Sequence, residues 1–301
     1  MLLYLFACGD MSNSIFADDA DFLSALPSEE RQTIPYEDDL TNDAARAAVG
    51  EQADLVTLSL STSQGVNAFI FRLLGVVDYV RSLPPSERTQ DSRRWGPFEV
   101  DCGLDVSARM SRASDVYDWS FSGRQSGDEE VTFLYGTHYA GSTVASGDGQ
   151  FTYDHGQLGE WCDSGEAGVL TVDYDNREGI DLVVVVDDYT GGATEDLSFT
   201  YALRKTAEEG DFQYRYIGDI EDDGSTDDAT VEVRTRWVPG TGGRSDAFVT
   251  GGGFAEREWR WSQCWDALGR LTWEGESLGL FEESGDASAC VYGDVVEVDR
   301  I

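Results

Sequence analysis

The stretch DIEDDGSTDD, residues 219–228, gathers metal-type ligands at suggestive spacing. Asp219, Glu221 and Asp223 alternate, and Gly224 follows. Alternate carboxylates turn inward when a backbone wraps a cation, and glycine permits the sharp bend, so the pattern resembles a calcium loop. Ser225 would add its carbonyl oxygen, and Asp227 or Asp228 a later ligand. Position twelve is Thr230 rather than the bidentate Glu of an EF-hand, and the flanks read as strands. The pattern therefore fits a hairpin-tip calcium site of about 10⁻⁴–10⁻³ M affinity, the range of extracellular modules. A solvated acidic hairpin turned at Asp223-Gly224 accounts for the same residues, and the sequence leaves both readings open. A second acidic group, Asp173, Asp175 and Asn176, reads as the wet face of a strand.

Motifs for covalent chemistry fare less well. GESLG at 275–279 has nucleophile-elbow spacing, but that chemistry needs a His after the Ser to take its proton. Both histidines, His138 and His155, precede Ser277 and lie in strand-like, aromatic surroundings. No HExxH and no Cys/His cluster supports a catalytic zinc. With 58 acidic residues, some carboxylate pair will stand at a glycosidase separation by chance, so that signal has no weight. Trp259, Trp261, Trp265 and Trp273 are candidates for a sugar-stacking face, although Trp259 and Trp261 share one strand face and suit core packing.

The cysteines bear on location. Leu5-Phe6-Ala7-Cys8 resembles a bacterial lipobox, in which the Cys thiol is acylated and the preceding segment removed. Several acyl chains, each worth about 0.8 kcal/mol per buried methylene, then hold a soluble domain at a membrane. Gly9 after the Cys resembles the class sent to the outer membrane. The apolar run is short and lacks a basic n-region, a departure from the usual signal. With Cys8 set aside, Cys102, Cys162, Cys264 and Cys290 remain, enough for two bridges. Four cysteines allow three connectivities; nearest-neighbour pairing favours Cys102–Cys162 and Cys264–Cys290.

The elements that position these residues are mostly strands. Residues 1–8 read as the signal, 9–60 as an acidic, irregular tether with some apolar anchors, and 61–301 as one β-rich domain. Ser61 and Gln64 have capping-box spacing, and Val66, Phe69, Ile70, Leu73, Val77 and Val80 recur at helical steps, so a principal amphipathic helix is expected at about 62–83, closed by Pro84-Pro85. Asn67, Arg72 and Asp78 interrupt its apolar pattern and argue against a membrane span. From Trp95 onward the period is two, with short turns rich in Gly, Asp, Ser and Asn. That pattern predicts a large antiparallel meander, curled into a half-barrel or sandwich because so many strands rarely stay flat. LVVVV at 182–186 breaks the alternation and is expected to be buried on both faces.

These features together resemble a group of bacterial lipoproteins found mainly in myxobacteria. The resemblance rests on the lipobox-like start, the helix before Pro84-Pro85, Trp95-Gly96-Pro97, the Asp/Gly loop at 219–224, Cys264-Trp265-Asp266 and Ala289-Cys290. It implies an exported β-rich domain and brings no activity with it.

Lys plus Arg total 21 and the net charge is −37, which opposes nucleic-acid phosphates and favours cations and cationic partners. The expectation is a lipoprotein anchored in the outer membrane of a cell envelope, with a binding or structural role, no catalysis and calcium as a candidate cofactor. Its partners would be the membrane through its lipid, with an envelope protein, a glycan or an apolar ligand as further candidates. Two alternatives are a half-barrel carrier of acyl or hydrophobic ligands and a secreted glycan-active enzyme.

Overall fold

A computed structural model describes residues 13–35, 52–100, 103–125, 128–157, 167–190, 197–218, 228–254, 257–280 and 282–301. Cys8, Cys102, Cys162, Asp219, Glu221, Asp223, Ser225 and Asp227 lie outside these residues. The described chain is mainly β, built as one open antiparallel sheet whose strands pair in sequence order. The strands are β1 (Glu87–Arg88), β2 (Ser92–Val100), β3 (Leu104–Ala113), β4 (Val116–Arg124), β5 (Val131–Thr143), β6 (Ser146–Asp154), β7 (Ala167–Asp175) and β8 (Ile180–Thr190). They continue as β9 (Leu197–Lys205), β10 (Gly210–Gly218), β11 (Ala229–Val238), β12 (Gly242–Gly251), β13 (Trp259–Asp266), β14 (Leu271–Glu276) and β15 (Ser284–Gly285). Among the described residues two helices precede the principal one: α1 (Asn13–Ala25) and α2 (Glu29–Gln32). The principal helix, α3, spans Asp54–Arg81.

Helix α3 lies across the strands on one face, called here the inner face. Its entry meets β13, where the Leu55 N–H donates to Gln263 Oε1 at 2.8 Å. Ser59 Oγ reaches Thr235 Oγ1 on β11 at 2.7 Å. At the far end Tyr79 packs edge-on against Phe98 of β2, with centroids 5.2 Å apart. A helix of 28 residues is about 42 Å long. The sheet from β2 to β13 measures about 50 Å along its hydrogen bonds. The sheet is thus longer than the helix it meets at both ends, and it arches over it.

The helix begins earlier than the capping signal indicates. Ser61 and Ser63 sit inside it, their hydroxyls donating to the carbonyls of Leu58 and Leu60 at 2.9 and 2.8 Å. The N-cap residue is Ala53, which has no side-chain cap. Orphan N–H groups at a helix start need partners, and here the sheet supplies one through Gln263. Asn67, an interruption in the sequence pattern, clamps the backbone of Ile34 from both sides, accepting from its N–H at 2.7 Å and donating to its carbonyl at 2.9 Å.

Part of the supposed tether is folded. Phe22, Ala25 and Leu26 of the α1 region are buried, and the Phe22 ring lies under the guanidinium groups of Arg93 and Arg112 at 4.4 and 4.9 Å. Asp19 accepts from Arg88 and Arg93 at 2.9 and 2.6 Å, and Asp18 pairs with both Arg93 and Arg112. These pairings join α1 to β1, β2 and β3, an arrangement that composition alone cannot display.

LVVVV is not buried on both faces. Leu182, Val184 and Val186 enter the core, whereas Val183 and Val185 are half-buried on the outer face. The strand enclosed on both sides is β12, buried from Gly242 to Val249. The cause is the C-terminal segment, which crosses the outer face as a strap. Cys290 is bonded to Cys264 on β13. The carbonyls of Tyr292 and Gly293 accept from Arg244 of β12 at 3.4 and 2.9 Å. Those of Asp294 and Glu297 accept from Arg236 and Arg234 of β11, each at 2.7 Å. Asp299 and Gln213 of β10 bond in both directions at 3.0 Å, and Arg300 pairs with Asp181 on β8. The buried guanidinium of Arg244 is balanced by Asp246 at 2.9 Å, and Ser262 donates to the same carboxylate at 2.6 Å.

The Cys264–Cys290 cross-link closes a separation of 26 residues. A loop of that size restricts the unfolded chain by about 3.5 kcal/mol. The double variant Cys264→Ala, Cys290→Ala is therefore expected to unfold in urea with a free energy lower by about that amount. An unchanged midpoint and slope would refute the strap's contribution.

Candidate functional site

The strap divides the outer face. Its contacts run from Cys264 on β13 to Asp181 at the edge of β8, and the trough on β4 to β8 lies open beyond them. In the open part, cross-strand register sets three polar rows. Ser120, Tyr135, Thr152, Thr171 and Val185 form the first. Asp118, Thr137, Gln150, Asp173 and Val183 form the second. Tyr139, Asp148, Asp175 and Asp181 form the third. Tyr135 and Thr152 of the first row, the second row, and the third row line a trough of about 740 Å³, within the range of roughly 300–1,000 Å³ common for ligand pockets.

Within the trough the polar groups are already oriented. Thr137 Oγ1 donates to Asp118 at 2.7 Å, and Gln150 Nε2 donates to Asp173 at 2.9 Å. Arg177 forms a paired contact with Asp175, its Nη2 at 2.6 Å and its Nε at 2.9 Å, and stands 3.6 Å from Asp148. The Arg177 hydrogen bonds hold the Asp175 carboxyl below its usual pKa. Asp181, at one margin, receives Arg204 at 3.2 Å and the strap's Arg300. Tyr135 and Tyr139 are 48% and 49% exposed, large enough to offer ring faces to a ligand. The acidic group Asp173 and Asp175, read from sequence as a wet face, is thus one wall of a larger assembly.

The remaining sequence-derived candidates are dispersed. Asp228 is the one residue of the 219–228 set within the described residues; its carbonyl accepts from Gly252 N–H at 3.2 Å, and its side chain is exposed. Among the described residues no group of three or more His, Cys, Asp or Glu side chains is placed to hold a metal ion. Cys264 and Cys290 are bonded to each other. Ser277 Oγ accepts from the Arg260 N–H at 2.9 Å in the turn after β14.

The four tryptophans do not make one sugar-stacking face. Trp259 and Trp261 stack at 5.8 Å on the inner face, each indole donating to Glu276 or Glu274. Trp265 is buried on that same face. Trp273 lies on the outer face opposite Cys264, under the Arg244 guanidinium at 5.3 Å. A register bulge between Cys264 and Trp265 and the alternation of strand faces separate them.

Both histidines are buried. His138 is held by the Val144 carbonyl at 2.6 Å and the Tyr174 hydroxyl at 2.9 Å. A carbonyl only accepts, so Nε2 carries the proton and Nδ1 receives the Tyr174 hydroxyl. Burial holds the His138 pKa down. His155 lies between the rings of Phe69, Tyr153 and Tyr189, at 5.1, 4.4 and 5.1 Å. Burial pushes its pKa down to about 4; Asp154 opposes this shift and Arg72 adds to it.

A comparison with protein-family models finds no match, and searches of curated proteins and of solved structures find none either.

The depressed His155 pKa carries a pH signature. Unfolded, this imidazole takes up a proton near 6.5; folded, it does so only near 4. Between those values the unfolded state binds more protons, so stability falls as pH falls from about 6.5 to about 4. His155→Phe is expected to flatten the decline across that window, read as urea midpoints at several pH values. An identical decline in both proteins would refute the assignment.

Proposed function

We propose that the protein is an exported, membrane-tethered binding protein. Its working surface is the uncovered trough on β4–β8, and it takes a neutral glycan chain without cleaving it. The observation that carries this reading is the pair of half-exposed rings, Tyr135 and Tyr139, beside rows of oriented Thr, Gln, Asp and Arg groups. A sugar presents apolar C–H faces and pairs of hydroxyls. Aromatic rings suit the first, and fixed planar polar groups suit the second. The net charge of −37 disfavours polyanionic chains in the same trough.

Export is supported by the Cys264–Cys290 bond, since disulfides persist in oxidising compartments. The tether is Cys8, acylated within its lipobox-like context. The carrier alternative needs an apolar volume between helix and sheet. In that space Leu73 and Val77 are buried and Phe69 stacks on His155, which favours the glycan reading over an acyl carrier. The calcium loop at 219–228 remains an expectation of the sequence.

Affinity electrophoresis through gels containing neutral polysaccharides tests the trough. Retardation in at least one gel is expected, with a loss of at least tenfold in affinity for Tyr135→Ala, Tyr139→Ala at unchanged circular dichroism. Retardation that the double variant retains in full, or none in any gel, would sink the reading. For the tether, cells fed an alkyne fatty acid are expected to label the wild-type protein and not Cys8→Ser. Label kept by the serine variant would rule out acylation at Cys8.

A further inference from the structure

The second polar row does not stop at the trough. Beyond Asp118 it continues through Ser111 of β3 to Ser92 of β2, so that Ser92, Ser111, Asp118, Thr137, Gln150 and Asp173 stand in one cross-strand register. The first row continues the same way, from Ser120 to Arg109 and Arg94. The added residues line a second cleft, of about 610 Å³, and Asp118 belongs to both clefts. Together they make one groove that crosses the strands from Ser92 on β2 to Val183 on β8. At about 4.8 Å per strand spacing the groove is about 29 Å long. Along a strand only alternate residues such as Tyr135, Thr137 and Tyr139 line it. That gives a width of about 14 Å, half the length.

Resting on the glycan reading of the trough, we propose that the occupant is a linear β-1,4-linked chain of neutral pyranose sugars, laid across the strands over β2–β8 with about one ring per strand. Equatorial bonds on opposite ring carbons make such a chain a flat, extended ribbon. Its advance per ring is close to the strand spacing of about 4.8 Å, so each ring meets a polar position of the same row. Chains wound into helices, such as α-1,4 and β-1,3 glucans, turn successive rings away from a straight row. The polar groups suit hydroxyls along the whole length. Asp118 and Asp173 each accept from a neutral neighbour, at 2.7 and 2.9 Å, and each carboxylate has further acceptor sites. Arg109 is exposed and stands 3.4 Å from Glu130, so its guanidinium has donors to spare. Arg109 and Ser111 therefore extend the footprint beyond the tyrosines, at the end away from the strap.

Chain length is the variable that tests this footprint. Cello-, manno- and xylo-oligosaccharides, from the dimer to the octamer, are titrated into the full chain by calorimetry. In at least one series affinity is expected to rise at least tenfold from the trimer to the hexamer and to level off by the octamer. The double variant Arg109→Ala, Ser111→Ala, checked for fold by circular dichroism, is expected to cut the hexamer-to-trimer affinity ratio at least fivefold. Equal affinity for trimer and hexamer would overturn the long footprint and leave the trough reading in place. An unchanged ratio in the double variant would do the same, as would retardation in gels of α-1,4 or β-1,3 glucan with no binding in any of the three series. Absence of retardation in every gel would remove both.

Discussion

An open sheet of this length has two faces to satisfy, and the structure depends on how the inner one is closed. A single helix of 28 residues does it by lying across the strands instead of along them. Residues from Leu55 to Val80 therefore meet inward-facing side chains from β13 back to β2, and one hydrophobic core joins chain segments more than 150 residues apart. Val, Leu and Ile side chains buried this way contribute about 1.5–3 kcal/mol each. Polar residues on the helix are used in the same packing. Ser59 enters a hydroxyl cluster with Thr235, which also bonds Ser245 at 3.0 Å, and Tyr214 stands 3.4 Å from Ser59.

The outer face follows a different rule. It is largely polar, and its C-terminal half is crossed by a segment with almost no regular structure. Such a segment has unpaired backbone carbonyls, which are costly to bury without donors. Arg234, Arg236 and Arg244 provide those donors, while Asp211 and Asp246 offset their charge. In a chain this acidic, placing scarce arginines in a row against the strap is an economical use of charge: each satisfies a carbonyl and a carboxylate together. Arg300 of the strap pairs with Asp181 at the margin of the trough.

Much of the architecture was legible along the chain. Period-two alternation from Trp95 onward identified the strands, and their short turns implied antiparallel neighbours in sequence order. The helical spacing of Val66, Ile70, Leu73, Val77 and Val80 identified the face of α3 that enters the core. The helix start was less legible, because Ser61 and Gln64 mimic a capping box and the true entry is satisfied by Gln263, far along the chain. The doubly buried strand was misplaced for a related reason. Composition pointed to LVVVV, whereas burial of β12 arises from a strap that binds Arg244 and Asp246, residues that look like a wet surface in sequence.

The sequence by itself indicated the principal helix, most of the strands and their meander order, since these follow from local periodicity and turn chemistry; it did not give α1 or the start of α3. It also marked Cys264 and Cys290 as partners by simple proximity. Tertiary structure alone decided which polar residues meet. Tyr135, Gln150, Asp173 and Arg177 become neighbours only when five strands align in register, and His155 acquires its aromatic walls only when α3 lies across β6 and β8. Those contacts depend on distances between segments many residues apart, which no short-range pattern in the chain encodes.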